Sequence, residues 1–466
     1  MILSRFLCFT LAFCMLALSA CQPAASPVSA TNLQPTTAAP TVRACDFVPG
    51  KSVPAQIPAS SAQLPTNLTS ITKTFTNTTV DSATLAKQMD LYYRIDADIT
   101  NHYVYANFNG KNWKAISLKY KDLIQKGLNQ ADFYLAITQM VGELDDGQSF
   151  FLSPGGHPNL TAAAPSSEFA GIGTLTYAIH DQGQAINVLR WVFPGSPAEK
   201  AGVKPHDVLL KVDGRPITDA NGDSSLLGPS GSSVTVTVGS PGQNPRDVKM
   251  VRNKISQSGL VDYCLAPGTR IGYMRWEQIS DPSVLDQTVD ALNALSGDSP
   301  LEGLVIDKRL NEGSDTTVLQ SLLSFFVGGT LGSFVSTRSV NPATPEPFTA
   351  NPVTDVSGSL NLPLVVIQDQ TTGDAALFGG LLQLIGRAKI VGQPANGGAF
   401  TQYIDDFSDG STLVLASMTF QPNGKTPGYW DKTGVIPDVS VSGRWDQFNE
   451  ANDPYLAKAI ELLTKK

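Results

Sequence analysis

The sequence predicts a mixed α/β (α+β) fold in which a helical N-terminal segment precedes an inserted β-rich domain and a βαβ core. Three observations lead to this prediction. The stretch Leu364–Gln402 reads as strand, tight turn, helix and strand, which implies a parallel sheet. Apolar residues recur every three or four positions between Leu85 and Leu152, as in helices with one buried face. Several short strand patterns separated by turn residues fill Phe169–Ile255.

The chain begins with a targeting segment, residues 1–21. Arg5 supplies a positive charge, and Phe6–Leu18 is an apolar run of signal-peptide length. Leu18–Cys21 resembles a bacterial lipobox, in which Cys21 would carry the lipid. The alternative, a membrane-spanning helix, would need about 20 apolar residues. We therefore expect an exported protein, lipid-anchored at Cys21 in the bacterial cell envelope, on its periplasmic or extracellular face.

Residues 22–80 read as a disordered tether. They are rich in Ala, Pro, Thr, Ser and Asn and hold few large apolar residues, so they cannot build a core. The part near Cys45 is the exception that can be ordered. Cys45 and Cys264 are the two cysteines that remain after signal removal and lipidation. In an oxidising compartment they form either a disulfide or two separate thiols, and the sequence leaves both open.

The charge and histidine content exclude several function classes. The formal net charge is -8, and no basic patch is present, so we expect no nucleic-acid partner. The four histidines are scattered without the spacing of metal ligands, so the sequence predicts no metal site and no cofactor. Those histidines are His102, His157, His180 and His206.

The segment of residues 81–160 is predicted to hold three helices. Their buried faces are marked by Leu91 and Ile95, by Trp113 and Tyr120, and by Phe133 onward. The aromatic residues here are expected in a core rather than in a ligand platform. Asp145 and Asp146 follow the third helix, and we expect them to turn or cap the chain rather than act as a carboxylate pair.

The turn Thr371–Ala375 follows the strand Leu364–Ile367, at the place where α/β sheets open a crevice for ligands and chemistry. Here the chain resembles the carboxyl-terminal processing, or tail-specific, serine peptidases. The residues that carry the resemblance are Gly386-Arg387-Ala388, Val391-Gly392 and Gln402. The family implies a ClpP/crotonase-like core domain, here residues 257–466.

The same motifs imply where the family's catalytic positions fall on this chain. The nucleophilic serine falls on Gly373 and the lysine base on Gly398, while Gln402, which orients that lysine in the family, is kept. A nucleophile needs an oxygen or sulfur, and a base needs a titratable group, so neither glycine can do this work. The resemblance thus implies the family's fold with a catalytic centre that lacks both its nucleophile and its base.

Two further family motifs bear on the same centre. Glu143–Ser149 resembles a motif in which related enzymes carry a histidine base, and Gln148 occupies that position. Asp307–Ser314 resembles the loop whose glycine N–H helps to form the oxyanion hole, and Gly313 is kept there. Lys308 replaces an apolar residue on this central strand, and the sequence offers no reason for it.

Residues 165–256 resemble a PDZ domain. Phe169–Gly173 is similar to the carboxylate-binding loop, and Gly195–Val203 and Asp207–Gly214 match the family's helix and following strand. The resemblance implies that a peptide adds as a strand and that its terminal carboxylate binds backbone N–H groups. We expect Phe169, Gly171, Ile172 and Gly173 to form that site. The alternative is a PDZ fold that packs on the core and binds nothing.

Two hypotheses follow for the whole chain. In the first, it is a pseudopeptidase that binds polypeptide C-termini or unfolded segments and touches the membrane only through its lipid. In the second, it is an active serine-type endopeptidase that processes C-terminal tails with a displaced nucleophile. The hydroxyl candidates are Thr371, Thr372 and Ser314, with Asp374 as an assisting acid. Ordinary turn chemistry accounts for the same residues.

Overall fold

The computed structural model describes most of the chain after residue 41. The described residues are 42–51, 75–154, 168–181, 184–215, 217, 226–256, 259–297, 299–311, 315–338, 343–352, 355–369, 374–395 and 398–465. The targeting segment, Cys21 and most of the predicted tether lie outside them, so the predictions for those residues stay predictions.

Eight α-helices occur among the described residues. They are α1 (Ser82–His102), α2 (Trp113–Gln125), α3 (Gln130–Gly142), α4 (Pro197–Lys200), α5 (Ser283–Ser296), α6 (Thr316–Ser324), α7 (Asp374–Leu384) and α8 (Pro454–Thr464). Helices α1 to α3 confirm the three helices predicted in the N-terminal segment. Asp81 caps α1, because its Oδ1 atom accepts the N–H groups of Ala83 and Thr84. Within the described part of the chain, no helix combines the length and apolarity needed to cross a membrane.

Eighteen strands complete the described elements. They are β1 (Phe150–Leu152), β2 (Glu168–Gly171), β3 (Thr174–Asp181), β4 (Gln184–Val192), β5 (Val208–Val212), β6 (Ser233–Gly239), β7 (Arg246–Val251), β8 (Asn253–Ser256), β9 (Val261–Leu265), β10 (Ile271–Trp276), β11 (Gly303–Asp307), β12 (Gly329–Val335), β13 (Glu346–Ala350), β14 (Leu364–Gln368), β15 (Ala388–Gly392), β16 (Phe400–Asp406), β17 (Thr412–Pro422) and β18 (Val439–Ser440).

The core domain is built on a six-stranded sheet in the order β18-β15-β14-β11-β10-β9. All neighbouring pairs are parallel except β9 with β10. Strands β10, β11 and β14 are buried along their whole length, as expected for parallel strands covered on both faces. Apolar residues of α5, α6 and α7 cover one face, and those of α8 cover the other. The predicted βαβ unit, β14-α7-β15, is confirmed.

A second, antiparallel sheet joins the helical segment to the core. Its strands follow the order β1-β17-β12-β13, and β16 also pairs with β17. The buried faces of α1 to α3 pack against β17, where Leu413 and Leu415 are fully buried. The sequence patterns did not predict this sheet, in which β17 pairs with β1 and β12, two strands that lie far from it along the chain.

The PDZ domain consists of a five-stranded sheet, β3-β4-β5-β6-β7, and a two-stranded ribbon of β2 and β8. Val234, Val236 and Val238 point inward from β6 and alternate with less buried residues. His206, two residues before β5, adopts a positive φ of 77°. This left-handed backbone conformation is one that glycine adopts without strain.

Trp445 of the core contacts the PDZ domain. Its Nε1–H donates to the Leu189 carbonyl at 2.9 Å, and its ring stacks on His206 with centroids 3.7 Å apart. The Arg190 guanidinium pairs with Glu277 of the core at 3.0 Å. Because these contacts are largely buried, the two domains share a packed interface rather than a loose linker.

Residues 42–51 are packed on the core, in agreement with the expectation that the part near Cys45 can be ordered. Cys45 and Cys264 form a disulfide, and both are buried. The Cys45 N–H also donates to the Leu265 carbonyl at 2.9 Å. Arg43 binds Asp262 at 2.8 Å and Glu450 at 3.0 Å. Covalent and polar contacts therefore hold a segment whose composition alone would not fold.

Candidate functional site

The candidate site lies where β11 and β14 end side by side. The two strands are parallel, with Asp307 opposite Ile367, so their carboxyl ends meet at one edge of the sheet. Helix α7 begins only a few residues after β14, as predicted. The predicted nucleophile position Gly373 and the hydroxyls of Thr371 and Thr372 lie outside the described residues. The same holds for Gly313 and Ser314 of the neighbouring loop.

Lys308 extends β11 by one residue into this edge. Its N–H donates to the Ile367 carbonyl at 2.9 Å, which continues the pairing with β14. The side chain is 2% exposed, and Nζ lies 5.3 Å from the centroid of the Phe378 ring in α7. Burial lowers the pKa of Lys308 to about 7. Near neutral pH, a large fraction of this amine is therefore neutral and able to accept a proton.

Asp369 connects the two loops that follow β11 and β14. Its Oδ1 atom accepts the N–H of Leu310 at 3.1 Å, and Leu310 adopts a positive φ of 58°. Burial raises the pKa of Asp369 to about 6, although the Leu310 hydrogen bond and the charge of Arg309 oppose the rise. One amine and one carboxyl with shifted pKa values thus lie at the same sheet edge, a pattern found at functional sites.

The opposite face of the same edge carries a buried ion cluster. Arg309 Nη2 lies 2.5 Å from Asp307 and 2.6 Å from Asp453, the N-cap of α8. The Tyr273 hydroxyl donates to Asp307 at 2.8 Å. Burial alone would raise the pKa of Asp307, but the Arg309 charge overrides it and holds that pKa below its usual value. This cluster ties the loop after β11 to α8, so we assign it a structural role.

Asn311 is fully buried in that loop. Its Nδ2 group donates weakly to the Trp276 carbonyl at 3.4 Å, and its Oδ1 atom finds no donor among the described residues. An unsatisfied buried carbonyl oxygen is costly and uncommon. This loop therefore contains a buried polar atom without a hydrogen-bond partner among the described residues.

Gly398, the predicted lysine position, has a backbone that disfavours any side chain. Its φ is 92°, and a Cβ atom added there would lie 2.6 Å from the Phe400 ring. Phe400 begins β16 and packs against the helical segment. The predicted partner, Gln402, lies exposed on β16 opposite Ala416.

Gln148 lies in a turn that Asp146 organises. The Asp146 carboxylate accepts the N–H groups of Gln148 and Ser149 at 2.8 and 2.7 Å, which confirms the predicted turn role. The Ser149 hydroxyl in turn accepts the N–H of Ala416 at 3.0 Å. Ala416 of β17 is thus contacted by Ser149, the neighbour of Gln148, and is paired with Gln402.

The structure describes the backbone of the predicted carboxylate-binding loop, residues 169–173. The side chain of Ile172 is 1% exposed and packs in the PDZ core, so only its main chain is available to a ligand. Its main-chain N–H and that of Gly173 have no acceptor among the described residues. Gly173 is required here, because its φ is 83° and a Cβ would lie 2.3 Å from that of Ser196. Phe169 and Gly171 pair with β8 through their backbones.

Sequence reasoning missed a polar cluster beneath Phe400. The Tyr105 hydroxyl donates to Asp431, and the Thr419 hydroxyl donates to the same carboxylate at 2.8 Å. Burial raises the pKa of Asp431. No sequence motif marks these residues, since Tyr105 lies more than 300 positions before Thr419 and Asp431.

Three domain models match the chain. Residues 270–441 match Peptidase family S41, residues 188–238 match a PDZ domain, and residues 96–142 match the Tricorn protease C1 domain. The S41 match covers the six-stranded sheet from β10 to β18 and includes the candidate site.

Named relatives agree with these matches. The chain is 28% identical over 380 residues to a carboxyl-terminal-processing protease of Synechocystis sp., covering 78% of this chain and 84% of the relative. It is 26% identical over 375 residues to carboxyl-terminal-processing peptidase 2 of Arabidopsis thaliana, covering 76% and 68%.

Solved structures share the architecture. The photosystem II D1 C-terminal processing protease superposes with a TM-score of 0.51 at 26% identity, covering 78% of this chain and 94% of that one. An S41 protease structure from Bacteroides fragilis has a TM-score of 0.54 at 17% identity and covers 80% and 97%, which shows the fold alone. Together, these matches support a tail-specific, or carboxyl-terminal-processing, serine peptidase family with a PDZ domain for this chain.

Proposed function

We propose that this chain is an exported, lipid-anchored pseudopeptidase that binds polypeptide C-termini and unfolded segments without cleaving them. The observation that carries the proposal is the backbone at Gly398. The aligned family places a lysine base at this position, yet φ is 92° and the Phe400 ring fills the space that a side chain would need. The residue and its surroundings both depart from what a lysine requires. The glycine at position 373 and the amide at Gln148 agree with the same loss.

Binding is supported by the PDZ domain. The N–H groups of Ile172 and Gly173 have no acceptor within the described residues, and β3, which follows them, is an edge strand. An open strand edge that ends in free N–H groups can pair with a peptide and hold its terminal carboxylate.

The test combines a cleavage assay with a binding assay on the full chain. Incubation with casein and with a fluorophosphonate probe should give no fragments and no labelled residue. A labelled peptide with a free C-terminus should bind, while its amidated form should bind about ten-fold more weakly, because it lacks the carboxylate. Casein cleavage that a fluorophosphonate blocks would overturn the proposal of a pseudopeptidase. Equal affinity for both peptides would overturn recognition of chain ends.

Lipid anchoring has its own test. Cys21→Ser should abolish incorporation of radiolabelled palmitate and release the protein from the membrane fraction. Cys14→Ser, a change inside the apolar run of the targeting segment, should leave both unchanged. Membrane association of the Cys21→Ser protein at the level of the natural sequence would contradict the anchor.

One observation favours the second candidate function, an active serine-type endopeptidase with a displaced nucleophile. Lys308 supplies an amine with a pKa of about 7 next to the candidate site, and such an amine could replace the missing base. In that case casein cleavage should rise with pH through about 7 and vanish in Lys308→Met. Cleavage that persists in Lys308→Met would exclude this role.

A further inference from the structure

The PDZ sheet has a second open edge, on β7. This strand ends the five-stranded sheet, and β6 is its only partner among the described strands. Next to it, the Arg252 N–H donates to the Ser232 carbonyl at 2.8 Å, so the main chain of residue 252 faces β6. Main-chain groups of an antiparallel strand alternate in direction. Lys249 and Val251 therefore point their N–H and C=O groups away from the sheet.

A contact on the far side of β6 supports this assignment. The Thr235 carbonyl accepts the N–H of Asp213 at 2.7 Å and is thus directed away from β7. Thr235 lies opposite Lys249 in the register. The main-chain groups of Lys249 and Val251 have no partner within the described part of the chain, and both residues are exposed.

A groove runs along this open edge. Its volume is about 610 Å³, and it lies between the end of β7 and helix α4. Pro197 and Lys200 form one wall, and Lys249 and Val251 form the other. A strand edge that faces a helix across a groove is the arrangement into which an extended peptide can add as a further strand.

The groove is positively charged. Its lining residues include Lys200, Lys249 and Arg252 but no carboxylate, although the whole chain has a net charge of -8. Lys200 and Lys249 form no ion pair with a described residue. The Arg252 guanidinium is buried and anchored, since Nε donates to the Leu226 carbonyl at 3.0 Å. Such a concentration of one sign of charge favours a ligand of the opposite sign.

The groove is distinct from the site expected for chain ends. That site involves residues 171–173 and the edge of β3, whereas β7 is the opposite edge of the same sheet. The groove on β7 has no carboxylate-binding loop of that kind among its lining residues. A ligand here would be recognised along its length rather than by its terminus.

We propose that β7 binds an internal, extended polypeptide segment with acidic side chains at alternate positions. The segment would pair with the main chain of Lys249 and Val251. Side chains two residues apart lie on one face of a strand, so alternate acidic residues would face the lysines together. The proposal rests on the protein being a polypeptide binder, as inferred above, and it adds a second site with its own specificity.

The test uses a fluorescein-labelled peptide of roughly ten residues, about the length of a long strand, in which Glu and Val alternate. Both ends are blocked, so that no free carboxylate can engage residues 171–173. Fluorescence anisotropy with the full chain should show binding that weakens with added salt. The matching Lys–Val peptide should not bind.

Variants locate the site. The double change Lys200→Glu and Lys249→Glu should weaken binding by about ten-fold or more through charge repulsion. Lys211→Glu, an exposed lysine on β5 outside the groove, should leave it unchanged. Val251→Pro should also weaken binding, because it removes an outward N–H at an edge where proline is tolerated. Val251→Ala is its control, and circular dichroism verifies the fold of each variant.

Several results would overturn the proposal. They are unchanged affinity in the double variant, unchanged affinity in a folded Val251→Pro protein, and equal binding of the Lys–Val peptide. Failure here is distinguishable from failure of the proposed function, because a peptide with a free C-terminus would still bind at the other edge. If that peptide also fails, the general role in polypeptide binding is wrong as well.

Discussion

The Lys308 side chain lies under α7 with Nζ near the Phe378 ring, and no carboxylate of the described residues pairs with it. The other strongly buried charges at this edge, Asp307, Arg309 and Asp453, all have ion partners. An unpaired buried ammonium is costly because the protein interior does not replace its hydration. The folded state consequently favours the neutral amine, as the lowered pKa indicates.

This cost gives a prediction on stability and pH. The folded pKa of Lys308 is about 7, below its unfolded value of 10.5, so the unfolded chain binds the extra proton between these pH values. The contribution of Lys308 to the free energy of unfolding therefore becomes more favourable as pH increases from 7 to 10.5. Lys308→Met should raise the free energy of unfolding by up to about 4 kcal/mol at pH 7, and the gain should shrink toward pH 10.5.

Urea denaturation at several pH values measures this effect. Lys425→Met is the matched control, because Lys425 also lies over an aromatic ring, Tyr429 at 5.0 Å, but is exposed. It should change stability by less than about 0.5 kcal/mol. A gain for Lys308→Met that stays constant between pH 7 and 10.5 would show that the charge is not its cause.

Gly398 yields a second prediction at this scale. Gly398→Lys should destabilise the protein by about 2 to 3 kcal/mol, because it combines a left-handed backbone with a clash against Phe400. Gly424→Ala has φ 71° but open space around its Cβ position, so only the backbone cost of about 1 kcal/mol applies. Thermal denaturation compares them, and adding Phe400→Ala should partly restore the Gly398→Lys variant. Equal stability losses at the two glycines would contradict the clash.

At the scale of elements, β14 and β15 approach each other closely at their carboxyl ends. Gly392 has φ 139°, and a Cβ there would lie 1.9 Å from the Gln368 carbonyl oxygen. Gly392→Ala should therefore cost more than about 3 kcal/mol, since backbone atoms cannot move aside cheaply. Gly386→Ala, at φ 72° with nothing within 4 Å, should cost about 1 kcal/mol. Chemical denaturation measures the free energy of unfolding of both variants. Similar losses of stability would contradict a steric clash at Gly392.

The elements themselves were largely predictable, because their signals are local. Helices α1 to α3 follow from apolar spacing, and the β14-α7-β15 unit follows from its strand, turn and helix signals, with Gly386 left-handed just after α7. The antiparallel sheet was not predictable, since β1 pairs with β17, more than 250 positions away. The sequence could predict where the candidate site lies but not how its groups are arranged. The family resemblance indicated positions 373 and 398, whereas the conformation of Gly398 and the lack of an ion partner for Lys308 among the described residues depend on packing.

At the scale of the whole molecule, Trp445 carries much of the contact between the PDZ domain and the core. Trp445→Ala should remove the His206 stacking and the hydrogen bond to Leu189, and it should cost about 3 to 5 kcal/mol. Trp445→Phe keeps a ring but loses the donor, so its loss should be smaller. Limited proteolysis should cut the Trp445→Ala protein between the domains. A cutting pattern identical to that of the unaltered chain would mean that other contacts suffice.

The disulfide of Cys45 with Cys264 has a mechanical consequence. A pull applied to the residues before Cys45 enters the core directly at β9, through a covalent bond. The two cysteines are separated by 219 positions along the chain, and the loop between them, which includes α1 to α3 and the PDZ domain, is bypassed by such a force. Reduction would add roughly 700 Å of extensible chain, at the length of an extended residue. An oxidised molecule under tension can thus keep its helical segment and its PDZ domain unloaded while the core bears the strain.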